Sequence, residues 1–252
     1  MWKADMVYEG MLAETVNIKG HNGDMIDAYV ARPLGKGPFS GVLVIHHMPG
    51  WDVGSKEITR RFATTGYAAI CPNLHFREGK STPEENSISV REAGGMPDDR
   101  TLGDLAAAIE YLQSLAVSNG RVGIIGYCSG GRQSFLAACR LDGIDAAVNC
   151  YGGNVVAEPD QLSDRQPVAP IDFSADLSCP LLGLFGNDDQ RPSSKDVDMI
   201  EEALGRHGKT YEFHRYDDAG HAFFATDRPN YRPAAAIDGW ERVFDWFERY
   251  LA

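Results

Sequence analysis

The segment Gly126-Tyr127-Cys128-Ser129-Gly130 stands where an apolar run from Arg121 to Tyr127 gives way to a helical pattern running on to Leu141. A nucleophile-bearing elbow between strand and helix bends the backbone so sharply that the residues two positions either side of its centre must be glycine or nearly as small. Centred on Cys128, those positions are Gly126 and Gly130. Centred on Ser129, they are Tyr127 and Gly131, and the tyrosine would clash. Cys128 is therefore the expected nucleophile. A thiol there also lies at the start of a helix, whose positive dipole end favours the thiolate. The bland alternative is a glycine-rich tight turn holding an inert buried cysteine.

The flanking pattern agrees with such an elbow. From about residue 40 onward short apolar runs alternate with helical periodicity, which predicts a doubly wound, mostly parallel sheet with helices on both faces. Before it, TVNIKG and MIDAYVARP flank Asn22-Gly23 and read as an antiparallel hairpin. SGVLVIHH, YAAICP, RVGIIGYC, DAAVNCYGG, PLLGLFG and TYEFHRYD read as the later strands. Helices are expected over 56–65, from 101 with Asp98 or Asp99 as its cap, over 130–141, 194–208 and 234–251. In the helix from 101, Leu102, Leu105, Ile109 and Leu112 recur at helical spacing, and Asn119-Gly120 closes the segment. Residues 74–97 lose periodicity and gather Gly, Pro, Ser and charges, so a long excursion rather than a domain linker is expected there, placed as a lid would be. Residues 155–180 likewise promise little regular structure. No boundary splits the chain, and 1–252 reads as one domain.

Composition narrows the partners. A net charge of −12 would be repelled by nucleic acid and by an anionic membrane surface, so a small molecule is the expected ligand. The first residues lack the basic region and apolar run of a signal peptide, no long apolar span follows, and the expected location is the cytoplasm. Five cysteines without a CxxC pair suggest small buried hydrophobes, Cys128 excepted. His46 and His47 adjoin at a strand end and so point to opposite faces, which argues against a metal grip. His21, His75, His207 and His214 read as surface or turn residues.

Downstream of the elbow come the groups that a nucleophile needs. In α/β-hydrolases the chain order is nucleophile, acid, histidine. LLGLFG is followed by Asn187, Asp188 and Asp189, and TYEFHRYD by Ala219-Gly220-His221. His221 is the expected general base, oriented by Asp188 or Asp189, with the third position after Gly186 favouring Asp189.

With these in place the chain resembles the dienelactone hydrolase family of the α/β-hydrolase superfamily, through GVLVIHHMPG, CPNLHFR, GYCSGG, CYGG, LFGNDD and AGHAFF. The resemblance implies the α/β-hydrolase fold and hydrolysis of an enol lactone or related ester through a thioester, without cofactor or metal. It also implies an oxyanion hole from the backbone N–H groups of Met48 and Ser129. His47 stands where the family carries a glutamate that helps to generate the thiolate. Two arginines that grip a substrate carboxylate are implied; Arg77 fits one, while the other position is Ala225, with Arg228 nearby as a substitute. The substrate is then a small ester or lactone bearing an anionic group. Trp51, Phe76, Tyr151, Phe223 and Phe224 lie near the motifs, where lining a pocket and plain core packing are equally good readings. The same fold and triad would also suit a broad carboxylesterase, a thioesterase, a phosphotriester hydrolase or a non-catalytic binding protein.

Overall fold

A computed structural model describes residues 10–79 and 82–252. Eight strands form one sheet: β1 (Met11–Lys19), β2 (Met25–Pro33), β3 (Phe39–Ile45), β4 (Ala68–Pro72), β5 (Ser118–Tyr127), β6 (Ala146–Cys150), β7 (Leu181–Gly186) and β8 (Tyr211–Tyr216). Their order across the sheet is β1-β2-β4-β3-β5-β6-β7-β8. The pairs β1/β2 and β2/β4 are antiparallel and every other pair is parallel. The helices are α1 (Val53–Thr64), α2 (Pro83–Glu92), α3 (Asp98–Ser114), α4 (Ser129–Arg140), α5 (Ser194–Arg206) and α6 (Pro233–Leu251). This is the mostly parallel sheet that the alternation predicts, in the α/β-hydrolase arrangement that the resemblance implies.

Side-chain alternation builds a core on each face. Leu43 and Ile45 of β3 and Ile124 of β5 point to the face covered by Leu105 and Ile109 of α3 and Phe135 of α4. Val42 and Val44 of β3 and Ile125 of β5 point the other way, against Phe62 of α1 and Trp240, Val243 and Phe247 of α6. Strands buried on both sides read as unbroken apolar runs for this reason. Cys71, Cys139, Cys150 and Cys179 are buried in this packing as free thiols. At the first turn Asn22 and Gly23 both take positive φ, and the hairpin holds in register from Met11↔Pro33 to Lys19↔Met25.

Topology positions the site. The chain runs from β3 outward to β4, then returns to add β5 on the other side of β3, so strand order reverses between β3 and β5. Open parallel sheets bind ligands at the carboxyl ends of strands where the order reverses. Ile45 pairs with Gly126 there, which brings the segments after both strands to one level.

Two expectations need correction, and the excursion at 74–97 carries regular structure of its own: a 3-10 turn at Phe76–Glu78 is followed by α2, whose start is locked by a Thr82/Glu85 capping box with Pro83 in the first turn. Thr-Pro-Glu-Glu was the legible signal for that helix; Lys80 and Ser81, also within the excursion, lie outside the described residues. Neither Asp98 nor Asp99 caps α3, whose N-cap is Pro97. Asp98 instead makes a two-pronged ion pair with Arg132 of α4, at 2.6 and 3.0 Å. His75 is not a surface residue but buried, with its ring edge-on to His46 at 4.7 Å.

The Asp98–Arg132 pair joins the helix that carries the elbow to α3, and Arg132 is almost completely enclosed. Removing one partner of a buried pair strands the other charge and costs about 3 to 5 kcal/mol. Asp98→Ala is expected to lower the urea midpoint accordingly, and Asp98→Leu combined with Arg132→Met to recover most of the loss.

Candidate active site

Cys128 occupies the first non-strand position after β5 and serves as the N-cap of α4, with φ 56° and ψ −119°. A non-glycine residue at positive φ carries strain of order 1 to 3 kcal/mol, tolerated where surrounding structure fixes it. Here the Cys128 N–H donates to the Cys150 carbonyl at 3.1 Å, and the Cys128 carbonyl accepts from Gly131 N–H at 2.9 Å. A Cβ on Gly126 would lie 1.8 Å from the Gly130 carbonyl oxygen, and one on Gly130 would lie 2.4 Å from that of Ile45. The small-residue rule read from the sequence is thus a contact between backbones.

Three other elements deliver partners to the sulfur. The backbone N–H groups of Ser129, at the start of α4, and of Met48, after β3, both donate to it. His221, in the loop after β8, hydrogen-bonds the thiol, and its Nδ1 meets Asp189 Oδ2 at 2.8 Å. Asp189 is buried, and its other oxygen accepts from Arg191 N–H at 2.8 Å. Asp188 is exposed. Of the two adjacent aspartates left open by the sequence, only Asp189 faces the histidine. Tyr151 packs edge-on against the His221 ring at 5.2 Å, and the His221 carbonyl accepts from Asn230 at 2.9 Å.

Electrostatics follow from this wiring. Burial alone would push the Cys128 thiol up, yet the hydrogen bond and charge of His221, with the N–H groups of Ser129 and Met48, hold it below the ordinary thiol value. Burial likewise opposes charging His221, and the bonds to Asp189 and Cys128 overcome it, raising the imidazole to about 10. Each of the two groups thus favours the charged form of the other. Elsewhere burial dominates: the thiols of Cys139 and Cys179 are pushed up to about 12.

The remaining sequence-predicted residues separate into those near the site and those that are not. His47 and Tyr151 line a cavity of about 80 Å³ beside the elbow, together with Asp52, Tyr127, Phe224 and Trp240. Trp51 donates its indole N–H to the Cys71 carbonyl at 2.8 Å and supports Lys56, whose ammonium lies 3.7 Å from the ring centre. Phe223 is wholly buried and Phe76 packs against the main core, so both are packing residues. Arg77 is not available as a carboxylate grip: its guanidinium binds Asp104 at 2.8 and 3.1 Å and Asp24 at 2.7 Å. Arg228 is exposed, and its guanidinium lies 3.6 Å from Asp227, which lines the cavity beside the elbow.

Sequence reasoning missed Asp52, which accepts from the His47 ring at 2.6 Å. Its signal was present, since Asp52 precedes α1 and accepts from Ser55 N–H as an N-cap does. Also missed was the burial of His46, whose Nδ1 donates to the His47 carbonyl and whose Nε2 accepts from Leu74 N–H. That pattern holds the ring neutral, with burial lowering His46 to about 4 and His75 to about 3. Among the described residues no cluster of His, Cys, Asp or Glu could hold a metal ion, and no helix is long and apolar enough to cross a membrane.

An elbow at the reversal of strand order, with an acid and a histidine arriving after β7 and β8, defines an α/β-hydrolase. Comparison with known proteins narrows the class. The sequence profile of the dienelactone hydrolase family matches residues 26–251. A protein named "Putative carboxymethylenebutenolidase" in Methylorubrum extorquens is 37% identical over 244 residues, covering 96% of this chain and 82% of its own. One named "Probable 2-oxo-3-(5-oxofuran-2-ylidene)propanoate lactonase" in Bradyrhizobium is 33% identical over 250 residues, 98% of each chain. The crystal structure titled "Putative Dienelactone Hydrolase" from Klebsiella pneumoniae superposes with a TM-score of 0.88 at 33% identity, covering 96% of this chain and all of the other. The chain belongs to the dienelactone hydrolase family, and it is a hydrolase of that type.

Two outcomes check this description. Because Asp104 is fully buried, Arg77→Ala leaves an unpaired carboxylate and is expected to cost about 3 kcal/mol. KM for neutral and carboxylate-bearing substrates should stay within about twofold, since a residue outside the cavity contributes no binding energy. His46 and His75 refuse protons that the unfolded chain accepts below its ordinary value of 6.5. Their depressed values therefore support the fold above pH 6.5, and that support drains away as pH falls toward 4 and then 3. His75→Phe is expected to flatten the fall of the urea midpoint across that window, whereas an unchanged slope would refute the assignment.

Proposed function

We propose that the protein hydrolyses a small lactone or carboxylic ester through a Cys128–His221–Asp189 triad and a thioester acyl-enzyme. The observation that carries this reading is the convergence of His221 and of two backbone N–H groups, one from the start of α4 and one from the loop after β3, on the sulfur of Cys128, whose backbone is strained. The Cys128 thiolate attacks the carbonyl carbon, and the oxygen takes up negative charge in the hole formed by the N–H groups of Met48 and Ser129. The tetrahedral species collapses, and the departing alkoxide or enolate takes a proton from His221 Nε2, the nitrogen not committed to Asp189. In a lactone that hydroxyl remains tethered to the acyl group. His221, now neutral, takes a proton from water as it attacks the thioester, and the thiolate leaves. Asp189 fixes the tautomer and steadies the imidazolium.

Every bond in this sequence is made or broken by groups of this chain and water, so the reading calls for neither metal nor cofactor. The lactonase and carboxymethylenebutenolidase names of the relatives support a lactone over a simple alkyl ester.

Iodoacetamide tests the reading directly. Alkylation of Cys128 should already be fast at pH 7 and should follow a midpoint below the ordinary thiol value near 8.5. His221→Ala leaves only the Ser129 and Met48 N–H groups to oppose burial, so the midpoint should rise and the rate at pH 7 should fall at least about tenfold. Cys128→Ala should abolish lactone turnover and Cys128→Ser should leave a weak esterase. Turnover undiminished in the alanine variant contradicts the proposal.

A further inference from the structure

The connection between β3 and α1 is tied down far more heavily than a link between two elements requires, and its bonds converge on one peptide. The His47 carbonyl accepts from Gly50 N–H at 3.0 Å and from His46 Nδ1 at 2.8 Å. His46 is held in turn by Leu74 N–H at 3.2 Å, just past the end of β4. The His47 ring meets Asp52 Oδ2 at 2.6 Å through Nε2. The other oxygen of Asp52 accepts from the backbone N–H of Ser55 at 2.8 Å and from its hydroxyl at 2.9 Å, in the first turn of α1. Both His47 and Asp52 are about one-fifth exposed, at 20% each, which is enclosed enough for the charge-assisted bond to keep its strength. The next N–H along the chain is that of Met48, one of the two aimed at the Cys128 sulfur.

Resting on the triad reading above, we propose that the His47–Asp52 pair is a positioning clamp for the oxyanion hole. It anchors the His47–Met48 peptide to the N-terminus of α1, so that the Met48 N–H stays directed at the point where negative charge develops. His47 and Asp52 act through the backbone and are positioning residues. The resemblance assigns the His47 position to a side chain that helps to generate the thiolate; in this chain the ring bonds to Asp52, and its influence on the sulfur passes through the neighbouring amide. A preorganised donor of this kind is worth about 10² to 10³ in kcat, and a displacement near 1 Å costs about 10²-fold. Loosening the clamp belongs at the lower end of that range, because the Ser129 donor is untouched.

Three variants isolate the clamp. His47→Gln keeps an N–H donor close to the place of Nε2, His47→Phe keeps the ring volume without the donor, and Asp52→Ser keeps a good N-cap for α1 but is too short to reach His47. Thermal unfolding of each reports whether the fold survives; if His47→Phe does not fold, Asp52→Ser decides. Expected for His47→Phe and Asp52→Ser is a fall in kcat of about tenfold or more, with KM within about twofold, since the lost interaction belongs to the transition state. The pH midpoint for alkylation of Cys128 should rise in both, because the Met48 donor no longer steadies the thiolate. His47→Gln should restore both readouts to near the parent values. The proposal is overturned if folded His47→Phe and Asp52→Ser keep the parent kcat and alkylation midpoint, or if folded His47→Gln fails as badly as His47→Phe. Alkylation involves no substrate, so a failed clamp remains distinguishable from a failed triad, which shows as turnover in Cys128→Ala.

Discussion

The backbone at Cys128 turns through a conformation that an L-residue seldom adopts, and the rest of the site depends on that turn being held. Two glycines permit it, because any Cβ at 126 or 130 would drive into a carbonyl oxygen. Hydrogen bonds from β6 and from the first turn of α4 fix it. The strain is local, while the bonds that hold it come from several elements; the sulfur is therefore displayed only when the sheet, α4 and the strand-end loops are assembled. Once it is displayed, burial works against its ionisation, and the surrounding donors decide the outcome. At Cys128 the histidine and two amides outweigh the desolvation cost, whereas at Cys71 burial and the nearby Asp52 charge prevail over Lys56, Thr59 and the His46 backbone and drive the thiol well above its ordinary range.

This division of labour explains why some parts were legible in the amino-acid sequence and others were not. The elbow was legible because its geometry dictates residue type at fixed offsets, and the acid and histidine because strand order dictates where they enter. The parallel sheet was legible because strands covered on both faces leave continuous apolar runs. Arg77 misled, since sequence gives an arginine's position along the chain but not which carboxylates fold against it; Asp24 and Asp104 come from distant elements. His75 misled for a similar reason, as a histidine in a polar stretch gives no sign that it will pack edge-on against His46, just past the end of β3. Residues 74–97 were judged by periodicity, and α2 is a helix set more by its capping box than by an apolar stripe.

The cavity beside the elbow brings the rings of Tyr127, Tyr151, Phe224 and Trp240 together with His47, Asp52 and Arg61. Arg77, which the resemblance would place against a substrate carboxylate, is committed to holding the 3-10 turn at 76–78 to α3 and the first hairpin. In an α/β-hydrolase the strand ends fix the reacting groups while the loops are free to differ.

The central claim is a covalent one, and intact-protein mass spectrometry after rapid quenching of lactone turnover tests it most directly. The account predicts a transient adduct equal to the full mass of the lactone, because the leaving hydroxyl stays attached, located on the peptide that contains Cys128 and released by hydroxylamine as a thioester would be. Steady turnover with no adduct on that peptide, or with the acyl group on a different residue, would contradict it.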